Sequence, residues 1–215
     1  VHEILAMIFK GDLKVENAAQ YYIDNYDNYV CYKVKKSIMD KSFETIADYF
    51  DNLNIEWLKD YEILGVELEE HFMAKKYNFI GFIDLLLRDK RDGRIVILDH
   101  KSSEYPFKKN GELKKKSQQS FESYKRQMYL YCHAVYQTYG EFPKKIVWNH
   151  FKDGGVLAAI PFVHGEYEEA IKWFNDTIET IEQEEKFEPS KDFFYCTNLC
   201  NFRNSCEYRK DVNRR

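Results

Sequence analysis

The sequence predicts an α/β domain in which a mixed central β-sheet is flanked by helices. Two apolar runs, FIGFIDLLL (79–87) and RIVIL (94–98), lie on either side of Arg91-Asp92-Gly93, the composition of a β-hairpin. A second pair of β-forming stretches, 145–151 and 156–162, flanks Asp153-Gly154-Gly155 and extends the sheet. Around these runs, apolar residues recur at helical spacing.

Taken in chain order, residues 3 to about 60 read as several helices, with ETIADYFDNL (44–53) and EWLKDYEIL (56–64) carrying the helical period. The first hairpin follows. Residues 118 to 139 form a helix whose stripe is Phe121, Tyr124, Met128, Tyr131 and Val135. After the second hairpin, an amphipathic helix from Glu166 to about Lys186 shows Tyr167, Ala170, Ile171, Phe174, Ile178 and Ile181 on one face. Pro189 then marks the exit into a cysteine-bearing segment. No repeat or linker divides the chain. The expectation is one domain over 1–215, with a helical part to about 62, a core over about 63–187 and the cysteine segment over 188–215.

The acids in the first hairpin carry the chemistry. Asp99 and Lys101 are two apart on one strand and so share a face, while Asp84 sits in the partner strand. Carboxylates are costly among β-forming apolar residues unless paired or bound to a cation. A hard divalent ion, Mg²⁺ or Mn²⁺, answers that cost, and with a lysine beside it suits phosphodiester hydrolysis. The plainer alternative is an exposed ion pair of little weight between Asp99 and Lys101.

These residues resemble the signature of the PD-(D/E)XK nuclease superfamily, and the rest of the chain is similar to its RecB-like exonuclease branch, which includes phage exonucleases and CRISPR-associated iron–sulfur nucleases. The opening Val1-His2-Glu3-Ile4-Leu5 matches the helix in which that branch carries a histidine. Gln127-Met128-Tyr129-Leu130-Tyr131 matches its Q-x-x-x-Y motif, and Cys196, Cys200 and Cys206 match its terminal cysteine cluster. The resemblance implies a restriction-endonuclease-like core in which Asp84, Asp99, His2 and the backbone carbonyl of His100 hold the metal. Lys101 would then be the base or electrostatic stabiliser, and Gln127 and Tyr131 would position substrate. Glu67, in GVELEEHF, is a further candidate for the metal site.

The resemblance also implies a 4Fe–4S cluster on the three cysteines, closed by an upstream cysteine, with zinc as the alternative because the spacing here is C-x3-C-x5-C. Cys31 and Cys132 are the other cysteines, and Cys132 lies within a helical stripe. The upstream glycine and first cysteine of the branch are missing, so a further N-terminal segment is expected.

Each match has a simpler reading: a frayed His2, a Tyr131 that is only core, or three free thiols. The formal net charge of −4 gives no overall nucleic-acid signal, yet Lys108, Lys109, Lys114, Lys115, Lys116, Lys125 and Arg126 cluster after the second acidic strand. That loop is either a phosphate-binding surface or an ordinary solvated one. No membrane span or signal peptide is visible, and clustered cysteines point to a reducing compartment. Together these imply a cytoplasmic deoxyribonuclease of a bacterial, archaeal or phage-infected cell, acting on DNA that is single-stranded or has free ends, in recombination, repair or phage replication, with a possible helicase partner. A catalytically inert DNA-binding or structural subunit of the same fold is the alternative.

Overall fold

The run Ile95–Leu98 is buried on both faces, which only the middle of a covered sheet allows. In the computed structural model, which describes residues 1–29, 36–74, 76–189, 192–193 and 195–208, this run lies in β3 (Ile95–Lys101) of a five-stranded sheet. The sheet order is β1 (Tyr61–Ala74), β2 (Tyr77–Asp89), β3, β4 (Lys145–His150), β5 (Val156–Pro161). All neighbours are antiparallel except β3 and β4. The parallel pair is joined by α4 (Gln118–Tyr139), because parallel strands need a long crossover. Gly140, at φ 72°, ends that helix in the left-handed conformation that glycine adopts without cost.

The chain divides into two compact units, Val1–Asn175 and Asp176–Arg215. In the first, α1 (His2–Lys10), α2 (Ala18–Tyr29) and α3 (Lys36–Asp51) cover one sheet face, where Leu5, Ile8, Phe9, Ile46 and Phe50 pack with Leu85, Leu87, Val96 and Leu98. On the other face Phe121, Met128, Cys132 and Val135 of α4 pack with Leu86, Ile95, Ile97 and Trp148, joined by Ala170 of α5 (His164–Gln183). Among the described residues no helix is long and apolar enough to cross a membrane. The second unit includes the end of α5 and a π-helical turn over Tyr195–Leu199.

Two expectations need correction. EWLKDYEIL is not a helix: Glu56–Asp60 forms a short 3-10 turn and the chain then enters β1. The strand signal was present in the alternating Val66, Leu68 and Phe72, but acids between them are poor strand formers and masked it. In α5, Ile181 is 57% exposed, so the apolar face ends before it.

β1 and β2 form a long hairpin, but β2 meets β3 only through Leu85–Arg88. Beyond that point the hairpin continues as a two-stranded arm. The change occurs at Asp84 and Glu67, which stand opposite each other between the pairs Val66↔Leu85 and Leu68↔Ile83. Ile83 and Leu85 are two residues apart yet belong to the cores of opposite sheet faces, so regular alternation breaks between them. Val66 and Leu68 divide the same way. Glu67 has a φ of 49°, an unfavourable conformation for a side chain of its kind, and marks this break.

Candidate metal and nuclease site

Where β2 parts from β3, the backbone N–H of His100 has lost its ladder partner. The Asp84 side chain takes that hydrogen bond, with Oδ2 at 2.6 Å. Asp99 and Lys101 project toward α4, and Lys101 Nζ is 2.7 Å from Asp99 Oδ2. This contact is an ion pair by distance, although the carboxylate oxygen accepts no hydrogen bond of good angle. The Asp84, Asp99 and Lys101 side chains keep only 12%, 7% and 15% of their surface, which sets them apart from an exposed ion pair.

Burial first, and then the charge of Asp99, raises the Asp84 pKa against the opposing hydrogen bond from His100. Burial likewise raises that of Asp99, with Lys101 opposing it. Glu67 is raised by burial and then by the Asp84 charge. Three acids that resist ionisation near one another form a place where added positive charge is favoured.

Lys101 is held from the far side by α4. Its ammonium donates to Gln127 Oε1 at 3.0 Å and lies 4.7 Å from the centre of the Tyr124 ring. Gln127 Nε2 in turn donates to Tyr131 Oη at 3.0 Å, an i, i+4 pair on one helix face. The Tyr131 hydroxyl also accepts from the Phe82 backbone. Its ring lies against Gly81, where an added Cβ would stand 2.7 Å from Tyr131 Cε1. Gly81 and Tyr124 were not among the sequence-derived candidates; an isolated glycine in a strand, the usual sign of close approach, was the available signal for the first.

His2 reaches the site from α1. Its Nε2–H donates to the carbonyl of His100 at 2.9 Å, and the same nitrogen is 3.7 Å from Asp84 Oδ2. A nitrogen donating this proton offers no lone pair to a cation, so His2 and the His100 carbonyl satisfy each other here. The His100 side chain points to the opposite face, stacked on Phe9 with ring centres 5.9 Å apart and bonded to Asn149 at 2.9 Å. Burial lowers its pKa to about 3, so it is neutral.

Among the described residues no three His, Cys, Asp or Glu side chains are grouped so as to hold a metal ion. The site offers two carboxylates and a nearby carbonyl. An all-oxygen set of this size suits Mg²⁺ or Mn²⁺, which keep several waters and take few protein ligands.

In the second unit, Cys196, Cys200 and Cys206 all line one open depression with Tyr195 and Phe202. None of the described cysteines is in a disulfide. Cys132 is fully buried in α4, a packing residue, and Cys31 lies outside the described residues.

The basic loop is less free than its composition suggests. Lys108 pairs with Glu112, Lys116 with Glu104, and Lys125 with Glu122 and Glu166. Lys114 donates to the Tyr105 carbonyl, and Arg126 lies over Trp173. Lys109 and Lys115 are exposed.

Comparison with known proteins adds an independent line. The family model described as the PD-(D/E)XK nuclease superfamily matches residues 1–207. No curated protein matches the chain. A crystal structure from Eubacterium rectale, described provisionally as an exonuclease, is similar at 15% identity and a TM-score of 0.48, over 92% of this chain and 78% of that one.

Proposed function

The chain belongs to the PD-(D/E)XK nuclease superfamily, and on that premise we propose that it is a Mg²⁺- or Mn²⁺-dependent deoxyribonuclease of the RecB-like type that digests DNA from an end. The observation that carries this reading is the meeting of Asp84, Asp99 and Lys101 in a partly desolvated site, where burial raises the proton affinity of both carboxylates and the charge of Asp99 raises that of Asp84 further.

Asp84, Asp99 and the His100 carbonyl are the groups that would hold the ion, with His2 beside them. When bound, such an ion supplies charge for the scissile phosphate and lowers the pKa of a water. The chain's own contribution is positional. Gln127 and Tyr124 hold the Lys101 ammonium over the acids, where it offsets charge developing on the phosphate and can hand a proton on. Tyr131 and Gln127 act by fixing that ammonium in place, which is a more specific role than contacting the substrate. Lys109 and Lys115 are the loop lysines best able to meet the DNA backbone.

The cysteine trio is read as a cluster site, iron–sulfur by resemblance or zinc by chemistry, with a structural role. The biological setting proposed is cytoplasmic recombination, repair or phage DNA processing, with a helicase as partner. A time course on end-labelled single- and double-stranded DNA with Mg²⁺, Mn²⁺ or chelator tests the reading. Progressive shortening that chelator abolishes supports it; binding without cleavage under every condition replaces it with an inert DNA-binding subunit.

A further inference from the structure

On the sheet face away from Lys101, β3 and β4 each carry an apolar series that turns polar at the site end. Val96 and Leu98 are followed by His100, and Val147 by Asn149, and the strand register sets His100 beside Asn149. Both side chains are buried, at 3% and 7% exposure, in positions that an aliphatic residue would fill without desolvating a polar group. The Asn149 amide nitrogen gives one hydrogen to Tyr49 Oη of α3 at 3.0 Å and the other to His100 Nδ1 at 2.9 Å. The His100 ring is neutral, so Nδ1 has a lone pair with which to accept, and Phe9 stacks on it nearly parallel, at 4°. Gly155, in the turn between β4 and β5, admits the Tyr49 ring: a Cβ there would stand 2.9 Å from Tyr49 Cε2.

We propose that Asn149 is a positioning residue for the site: anchored by Tyr49, it fixes the His100 ring and thereby the His100 backbone that meets Asp84 and His2. His100 needs such an anchor, because the β2 ladder ends at Leu98 and leaves β3 paired only with β4 beyond it. The backbone held in this way donates its N–H to Asp84 at 2.6 Å and offers its carbonyl to His2 at 2.9 Å. Groups that orient the ligands of a metal without touching it are worth about 10–100-fold in affinity, since a ligand shell must hold its geometry to about 0.5 Å. The hydrogen bonds from Tyr49 through Asn149 to His100 thus tie the helical layer to the acids on the far side of β3. This proposal rests on the nuclease reading and names what sets its ligand shell.

The test uses the full chain without DNA, so no cleavage enters it. Asn149→Leu keeps the volume and removes the amide; Tyr49→Phe keeps the ring and removes the hydroxyl, and decides the matter if the first variant does not fold. The His100 backbone amide is followed by NMR of protein labelled with ¹⁵N-histidine, assigned by its loss in His100→Phe, and Mn²⁺ affinity is measured by calorimetry. The expected result is a displaced His100 amide signal and Mn²⁺ binding weakened about 10–100-fold in Asn149→Leu, with a smaller change of the same sign in Tyr49→Phe. In a His100→Phe background, which keeps a ring on Phe9, Asn149→Leu should weaken Mn²⁺ binding no further. Ile46→Val, a packing change on the same face, should lower Tm and leave both readouts at wild type. An unmoved amide signal, a Mn²⁺ affinity unchanged in both variants, or additive effects of Asn149→Leu and His100→Phe overturns the proposal. If the wild-type protein binds no Mn²⁺, the metal reading fails by itself, and the amide signal alone decides the role of Asn149.

Discussion

Gly81 and Tyr131 meet so closely across β2 and α4 that glycine is the residue that fits: any Cβ at position 81 would stand 2.7 Å from Tyr131 Cε1. Through Tyr131 the contact supports Gln127, and through Gln127 it supports Lys101.

Gly81→Ala is therefore expected to cost about 1–3 kcal/mol of stability by overpacking, and to lower the cleavage rate further by shifting Tyr131. Gly81→Ala/Tyr131→Ala should recover part of the lost stability in thermal melts without recovering activity. Wild-type cleavage by Gly81→Ala would show that the Tyr131 position is unimportant to the site.

Lys101→Ala is expected to reduce cleavage by about 10²–10³-fold or more while leaving the fold and divalent-ion affinity near wild type, because the ammonium serves developing charge and the carboxylates hold the ion. Rates on labelled DNA and calorimetric titration with Mn²⁺ check both halves. A wild-type rate would move the catalytic role elsewhere.

Asp99→Asn is expected to lose ion affinity and activity together, since it keeps the volume but removes one of two carboxylates. Unchanged Mn²⁺ binding by calorimetry would show that Asp99 lies outside the ligand set.

Away from the site, Asp89 has no exposed surface and is covered by its own partners, Arg91 at 2.6 Å and Lys144 at 2.8 Å, rather than by depth in the core. Their hydrogen bonds hold its pKa far below the usual carboxylate range. A folded-state pKa below that of the unfolded chain means the ionised carboxylate stabilises the fold above about pH 4, and this contribution is lost as pH falls from there. Asp89→Asn should lower Tm at neutral pH and flatten the acid limb of the Tm–pH curve. An acid limb parallel to wild type would assign acid sensitivity to other groups.

Cys200→Ser is expected to lower bound metal and thermal stability together, while protein that remains folded still cleaves DNA. Metal analysis and melting curves of protein purified without oxygen check this. Equal stability with neither iron nor zinc in the wild-type protein would leave the trio as free thiols.

The elements written in local pattern were legible in the sequence. The Arg91-Asp92-Gly93 hairpin and the helix over 118–139 depend on alternation, turn residues and a 3.6-residue period, and all of these operate between near neighbours. β1 escaped because Glu67, Glu69 and Glu70 dilute its alternation, and its pairing with β2 supplies what its own propensity lacks. Tyr131 reads as a stripe residue by period alone, yet it is only partly buried and its hydroxyl serves Gln127.

By itself the sequence determined which chemistry was available: two acids and a lysine at strand spacing, a glutamine and a tyrosine on one helix face, three cysteines near the end. Only the tertiary structure decided which of these meet. His2 lies 98 residues from the carbonyl it bonds, and Gln127 lies 26 from Lys101. The break at Glu67 and Asp84 and the clearance at Gly81 likewise depend on how separate elements cross. Local periodicity orients a side chain to one face of its own element but carries no information about the register of that element against another, which packing of the two cores sets.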